Sequence, residues 1–205
     1  MMKVLRWLKS DKVLVRLAAL WLICAVLFTI AWTTSYHLLP EGVLRGRLLG
    51  ARMPIETPEV MTTFLRIFMV NLLAGCGIVT LGNLFRVGDT PLGYSVPLVH
   101  SVVYGVLLGT NSFGMPAAGP LAPSLTTLLG RSGAFEITAY IAIAAATTGL
   151  AIWRQRSVLD RHSEQVGSWR RWRLSRLEMA VVIGAVVLLA AANYREASQI
   201  QQLLP

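Results

Sequence analysis

Long apolar runs alternate with short polar segments along this chain. The stretch from Thr90 to Gly130 contains no Asp, Glu, Lys or Arg, and further apolar runs lie on both sides of it. A helix of ~20 apolar residues spans the ~30 Å hydrocarbon core of a bilayer. Runs of this length are too continuous for the alternating strands of a membrane barrel. The pattern predicts a helical membrane protein, because in lipid each segment must satisfy its own backbone hydrogen bonds.

The runs predict an all-α polytopic transmembrane helical bundle of about five spans, forming one integral membrane domain over residues 1–205. A short amphipathic segment, residues 1–12, is expected to lie on the inner membrane surface. Residues 111–133 are rich in Pro and Gly around an apolar centre too short to cross, which predicts a re-entrant or interfacial segment between spans three and four. The predicted spans are residues 17–35, 64–85, 94–110, 134–153 and 177–194.

Composition and charge placement predict the class and the orientation. The chain is 55% hydrophobic and only 14% charged, which is outside the usual range of soluble domains. Its net charge is +9, and most of the basic residues lie either before residue 17 or in a loop over residues 154–176. Because loops rich in Lys and Arg stay cytoplasmic, we expect a multi-pass protein of the cell membrane. Its N-terminus and basic loop are predicted inside and its C-terminus outside, with no nucleic-acid partner.

The basic loop combines arginines with tryptophans. This composition is typical of an anchor at the level of the lipid headgroups, and it also fits a contact surface for a partner protein. The residues predicted to contact lipid headgroups or a partner are Arg154, Arg156, Trp169, Arg170, Arg171, Trp172 and Arg173.

Several polar residues lie inside or beside the predicted spans. Such groups are costly in lipid and usually face the bundle interior, where they either join helices or line a path for a substrate or ion. For Glu136, an ion pair with Arg131 is the first interpretation, and a proton or ligand site is the second. The intramembrane candidates are Asn71, His100, Asn111, Arg131 and Glu136.

Catalytic and cofactor chemistry is not predicted. Residues 130–133 read Gly-Arg-Ser-Gly before a span, as in rhomboid-type intramembrane proteases, but the only later histidine, His162, lies in the basic loop. The three histidines are too scattered for a metal site, and no phosphate-loop motif occurs. We therefore expect a non-enzymatic protein with no catalytic residue, metal or cofactor.

Small residues recur on the predicted spans. Gly105 and Gly109 form a GxxxG pattern on the third span, and the second span carries several glycines, including Gly75 and Gly82. Small residues let helix backbones approach closely, so the pattern predicts either a compact bundle or a bundle that packs with partners.

Three short motifs occur in succession in the second, third and fourth predicted spans. The second span contains FMVN at residues 68–71, the third contains YGVLLG at 104–109, and the fourth opens with SGAFEITA at 132–139. With these motifs, residues 60–155 resemble the stage II sporulation protein M family of multi-pass bacterial and archaeal membrane proteins. The family signature at the last motif is close to P-H-G-x-x-E-L-x-A, and Ser132 stands where the family usually has His.

The resemblance implies a non-enzymatic membrane component that scaffolds or assists transport within a larger complex. The implied partners are other membrane subunits, with an ABC-type ATPase as one candidate, or further copies of the chain in a homo-oligomer, all within membrane lipid. The alternative function is an autonomous small-solute or ion transporter or channel, with His100 and Glu136 on its path.

Overall fold

The computed structural model describes most of the chain. The part of the predicted amphipathic segment over residues 1–5 and the middle of the predicted re-entrant segment fall outside it. The described residues are 6–45, 59–113, 119, 121–160 and 162–203.

The described residues are mostly helical and include four helices long and apolar enough to cross a membrane. Between the third and fourth of these lie two shorter helices. The helices are α1 (Val13–Leu38), α2 (Val60–Gly82), α3 (Ser95–Gly109, preceded by a 3-10 turn over Leu92–Tyr94), α4 (Leu125–Gly130), α5 (Gly133–Ala146) and α6 (Arg176–Leu203).

Four of the five predicted spans correspond to the long helices. The fourth, predicted over 134–153, corresponds to α5, which ends at Ala146 and rises only ~21 Å. Two threonines follow the end of the regular helix: Thr147 donates its hydroxyl to the Ile143 carbonyl at 2.7 Å, and a 3-10 turn begins at Thr148. Because ~30 Å is needed to cross, the fifth crossing stays a prediction. The final helix runs to Leu203, past the predicted end at residue 194.

A small sheet, which the sequence did not predict, covers one end of the bundle and corrects the all-α expectation. Its order is β2-β1-β3-β4, and the parallel pairing of β1 with β3 joins the turn after α2 to the basic loop. We call this the sheet end and the opposite one the far end. The strands are β1 (Phe85–Val87), β2 (Thr90–Pro91), β3 (Trp153–Gln155) and β4 (Ser163–Gln165).

Helix α5 forms the centre of the bundle. Most of its residues are buried, including every residue from Ala139 to Ala146. Helices α1 and α3 pack against each other at the predicted GxxxG pattern: a Cβ at Gly105 would lie 2.7 Å from the Phe28 carbonyl oxygen, and one at Gly109 would lie 2.7 Å from that of Trp32. The predicted close packing is therefore confirmed for this pair. Helix α2 lies at the edge of the bundle, because only 11% of the residues in its apolar 18-residue stretch are buried.

Candidate functional site

A chain of polar side chains connects α2, α5 and α6 inside the bundle. The Asn193 side-chain amide donates to Glu136 Oε1 at 2.7 Å. The Asn71 side-chain amide donates to Asn193 Oδ1 at 3.2 Å. Asn193 is fully buried and Glu136 is 9% exposed. Two of the predicted candidates, Asn71 and Glu136, are thus brought together by a residue that the sequence interpretation missed.

A second carboxyl group, that of Glu196, and the Ser132 hydroxyl lie close enough to Glu136 to act on its carboxyl group. Glu196 follows Asn193 by three residues, which places both on one face of α6. An ionised carboxylate only accepts hydrogen bonds, so two neighbouring carboxyl groups are stabilised when they share a proton or a cation. We call Glu136, Glu196, Asn193, Asn71 and Ser132 the glutamate cluster.

Helix α2 is deformed where it meets this cluster. Asn71–Gly77 is a π-helical segment, a rare local widening that is frequent at functional sites. The segment packs closely on α5, because a methyl group at Gly75 would overlap the ring of Tyr140. Tyr140 is fully buried and lies one turn after Glu136 on α5. The absence of a side chain at Gly75 therefore lets α2 approach the helix that carries the carboxyl group.

His100 lies on α3 and is connected to this region through an aromatic contact. Its ring meets that of Tyr140 edge to face, with 5.3 Å between the centroids. It also lines an open apolar depression on the outer surface of α3, together with Val99 and Val103. Within the described part of the chain, no hydrogen bond joins His100 to Glu136. The two residues of the predicted path are therefore neighbours of a common tyrosine and are not in direct contact.

The expected ion pair between Arg131 and Glu136 does not form among the described residues. Arg131 precedes α5 in extended backbone, and its guanidinium lies over the ring of Phe113 at 4.3 Å from the centroid. Burial lowers the pKa of Arg131, and the charge of Glu196 is one of the influences that oppose this shift. The extended residue directs the arginine away from the first turn of α5, where an amide takes the place of the expected cation.

Asn111 lies at the far end and belongs to a different group of contacts. It adopts a left-handed backbone with φ of 47°, a conformation that Asn tolerates better than most residues. Its amide donates to Glu41 Oε1 at 2.8 Å and to the Gly119 carbonyl at 3.0 Å. Asn111 therefore connects the turn after α1 to the loop after α3, which is a structural role.

At the sheet end, two residues that the sequence interpretation missed bind the C-terminus of α5. The buried Arg16 on α1 donates its Nε to the Ala145 carbonyl at 3.0 Å and forms an ion pair with Glu178 at 2.9 Å. Asn83 donates to the Ala144 carbonyl at 2.8 Å. These groups satisfy carbonyls that a helix end leaves without intrahelical partners.

The basic-loop candidates are spread over the surface of the sheet end. Arg154 forms an ion pair with Asp89 at 2.9 Å, and Lys9 reaches the other oxygen of the same carboxylate at 3.1 Å. The Trp169 and Trp172 rings lie 4.5 Å apart. Of the other predicted arginines, Arg156, Arg170 and Arg173 are exposed, and the side chain of Arg171 is not described.

Within the described ranges, no hydrogen bond joins Ser132 to a histidine. Ser132 belongs to the glutamate cluster, whereas His162 lies at the sheet end with a side chain that is 98% exposed. Across the described ranges, no group of three or more His, Cys, Asp or Glu residues is placed to hold a metal ion.

The signals for the missed residues differ in strength. Asn193 lies inside the last predicted span and is an amide within an apolar run, as Asn71 is, so the same criterion could have found it. Arg16 and Asn83 lie at the ends of apolar runs, where a polar residue is expected in any case. Only the folded contacts distinguish them from ordinary boundary residues.

No family model, curated protein or solved structure matches this chain. The resemblance to the stage II sporulation protein M family therefore stays a prediction that rests on the three motifs.

Proposed function

We propose that this protein is a non-enzymatic integral membrane subunit that scaffolds or assists transport within a larger membrane complex. The glutamate cluster carries the proposal. Its amides join α2 and α6 to Glu136 on α5, which is how polar side chains stabilise helix association in lipid. On this proposal, the buried polar residues hold the helices in fixed positions, and the exposed surfaces of the bundle bind the other subunits.

The exposed side of α2 supports a role with partners. Few residues of this helix are buried, and its outer side carries large apolar residues including Met61, Leu65, Met69 and Leu73. Methionine side chains adapt to irregular surfaces and are frequent at adaptable contacts. A membrane subunit, or a second copy of the chain, would pack against this side.

The sheet end offers a second surface. Leu159 is 92% exposed and Trp169 is 61% exposed, and both lie among the arginines of the basic loop. Tryptophan and arginine are enriched at the centres of protein interfaces. With this end in the cytoplasm, as the distribution of positive charge predicts, a cytosolic subunit such as an ABC-type ATPase would have an aromatic and cationic surface to bind.

An autonomous small-solute or ion transporter or channel is the second candidate, and one observation favours it. Glu136 and Glu196 lie next to each other beside the π-helical segment of α2. Paired carboxyl groups at membrane depth are frequent in proton and ion pathways. On this alternative, a proton or cation would bind at the glutamate cluster, with His100 further along the path.

Purification from the native membrane in mild detergent, followed by mass spectrometry of the bound chains, tests the first proposal. A stoichiometric membrane or ATPase subunit is the expected result, and a clean homo-oligomer would favour the transporter. Flux across reconstituted vesicles gives the second measurement. If Glu136→Gln abolishes flux and leaves thermal stability unchanged, the transporter is favoured. Glu164→Gln on the exposed strand β4 is the matched control.

A further inference from the structure

Two arginines stand side by side on the sheet. Arg86 of β1 and Arg154 of β3 are direct partners in the parallel register, so their side chains leave the same face of the sheet. Like charges placed opposite each other on neighbouring strands destabilise a sheet. Such a pair therefore needs negative charge or hydrogen-bond acceptors near it.

Each of these arginines has one anchored amino group and one buried donor without a partner. Arg86 Nη2 donates to the Thr148 carbonyl at 2.8 Å, and Arg154 Nη2 donates to Asp89 Oδ1 at 2.9 Å. The Nε of each is buried and meets no acceptor within the described part of the chain. Buried donors without acceptors are costly, so an acceptor that reached this pair after a small side-chain shift would stabilise both arginines.

A third such donor lies on the same side of the sheet. The indole Nε1 of Trp172 is buried and also meets no acceptor among the residues that the structure describes. Trp172 packs on the cluster formed by Leu84, Leu150 and Ile152. Leu84 and Ile152 lie two positions before Arg86 and Arg154 and so share their face of the sheet. Trp172 thus covers the face from which both arginines project.

The charges around the pair do not balance. Lys9 and Arg154 both contact Asp89, and Arg86 is close enough to act on the same carboxylate. The hydrogen bond from Lys9, followed by the charges of Lys9 and Arg154, lowers the pKa of Asp89, so it is ionised at neutral pH. Glu164 on β4 lies opposite Arg154 on β3, but it is exposed and forms no ion pair with Arg154 among the described residues. Lys9, Arg86 and Arg154 thus have one nearby carboxylate, that of Asp89, to balance their three positive charges.

An open depression adjoins these residues and could take a molecule with an apolar part. It has a volume of about 280 Å³ and is lined by Lys9 and Asp89 on its charged side and by Leu8, Pro91 and Tyr94 on its apolar side. Tyr94 leads directly into the membrane-crossing helix α3. The depression therefore lies where headgroups and acyl chains would meet.

We propose that Arg86 and Arg154 form a binding site for a phosphate group, supplied by an anionic phospholipid at the membrane surface. A guanidinium offers several N–H donors in a planar fork that matches phosphate oxygens, and the arrangement on β1 and β3 presents two such forks together. The lipid glycerol would extend over the apolar side of the depression. Arg86 was not among the predicted lipid contacts, and the site does not depend on the proposed scaffold function.

Native mass spectrometry of the purified full chain, titrated with phosphatidylglycerol or phosphatidylcholine, tests the site. We expect one tightly held phosphatidylglycerol per chain in the wild type. In the double variant Arg86→Gln/Arg154→Gln, we expect affinity for this lipid to fall about tenfold or more, as the loss of charge-assisted hydrogen bonds implies. Thermal unfolding without added lipid shows whether each variant is folded.

Two further variants separate a built site from general charge. Arg170→Gln/Arg173→Gln removes the same charge from exposed positions at the same end and should leave the tight lipid in place. Arg86→Lys/Arg154→Lys keeps the charge but removes both Nε donors, and it should still lose most of the affinity. Equal losses in the Arg170/Arg173 variant, or full binding in the lysine variant, would overturn the proposal.

Inorganic phosphate distinguishes the source of the group. If phosphate at millimolar concentration stabilises the wild type but not the glutamine variant at Arg86 and Arg154, and phosphatidylglycerol is held no better than phosphatidylcholine, the phosphate site stands and its lipid source is overturned. If phosphatidylglycerol alone is retained, both parts of the proposal are supported.

Discussion

The two ends of α5 are held by polar networks of different kinds. At the sheet end, Arg16 meets the opposite charge of Glu178 and binds the Ala145 carbonyl at the helix C-terminus. At the other end, Glu136 lies beside a second carboxyl group and is bound by the amide of Asn193. Both arrangements suit the helix dipole, which favours a cation at the C-terminus and an acid in the first turn.

The difference between the networks lies in how their charge is balanced. The pair Arg16–Glu178 neutralises itself, and both partners are largely buried, so removing either one leaves an uncompensated charge. No ion pair among the described residues reaches Glu136, which is held by neutral donors. The first network contains its own counter-charge, whereas the second contains carboxyl groups that no ion pair among the described residues balances.

The largest effect is expected at the sheet end. Arg16→Met should destabilise the protein by about 3–5 kcal/mol, because Glu178 stays partly buried without its partner and the Ala145 carbonyl loses its donor. The free energy of unfolding in mixed detergent micelles measures this change. Lys12→Met, which removes an exposed cation one turn earlier on the chain, is the matched control and should change stability little. Similar losses in both variants would mean that Arg16 has no special role.

A smaller effect is expected at the centre of the glutamate cluster. Asn193→Leu should cost about 1–3 kcal/mol, because both Glu136 and Asn71 lose their partner inside the bundle. Asn71→Leu removes only the outer hydrogen bond, at 3.2 Å, and should cost about 0.6 kcal/mol, as is usual between membrane helices. The same unfolding measurement compares the two variants. Equal costs would show that the amides do not act as a connected chain.

The sequence predicted the long helices well because each follows from one local signal, an apolar run of sufficient length. It predicted α5 less well, since the regular helix ends at Ala146, where the Thr147 hydroxyl bonds to the backbone, and hydropathy does not register this. The sheet was missed for another reason. Its strands have two or three residues, and β1 pairs with a segment more than sixty positions away, which no local pattern encodes.

The site was predicted in part for a similar reason. Asn71 and Glu136 stand out as polar residues within apolar runs, and they do lie in one network. The partner of Glu136 could not be derived, because Arg131 is near it in sequence whereas Asn193 is near it only after α6 packs on α5. Composition identifies which groups need a partner, and tertiary packing decides which partner they have.

An effect about as small as that of Asn71→Leu is expected from Glu136→Gln, and it separates the two networks most sharply. The side-chain oxygen of Gln can still accept from Asn193, and its amide can donate to Glu196, so stability should change by under about 1 kcal/mol. Glu136→Ala, which removes both contacts, is the matched variant and should cost about 1–3 kcal/mol. A large loss for Gln would mean that the network needs the negative charge of Glu136 and holds a bound cation. A stability close to that of the wild type would mean that a neutral group suffices at position 136. The far end of α5 would then be held by hydrogen bonds, whereas the sheet end requires an ion pair.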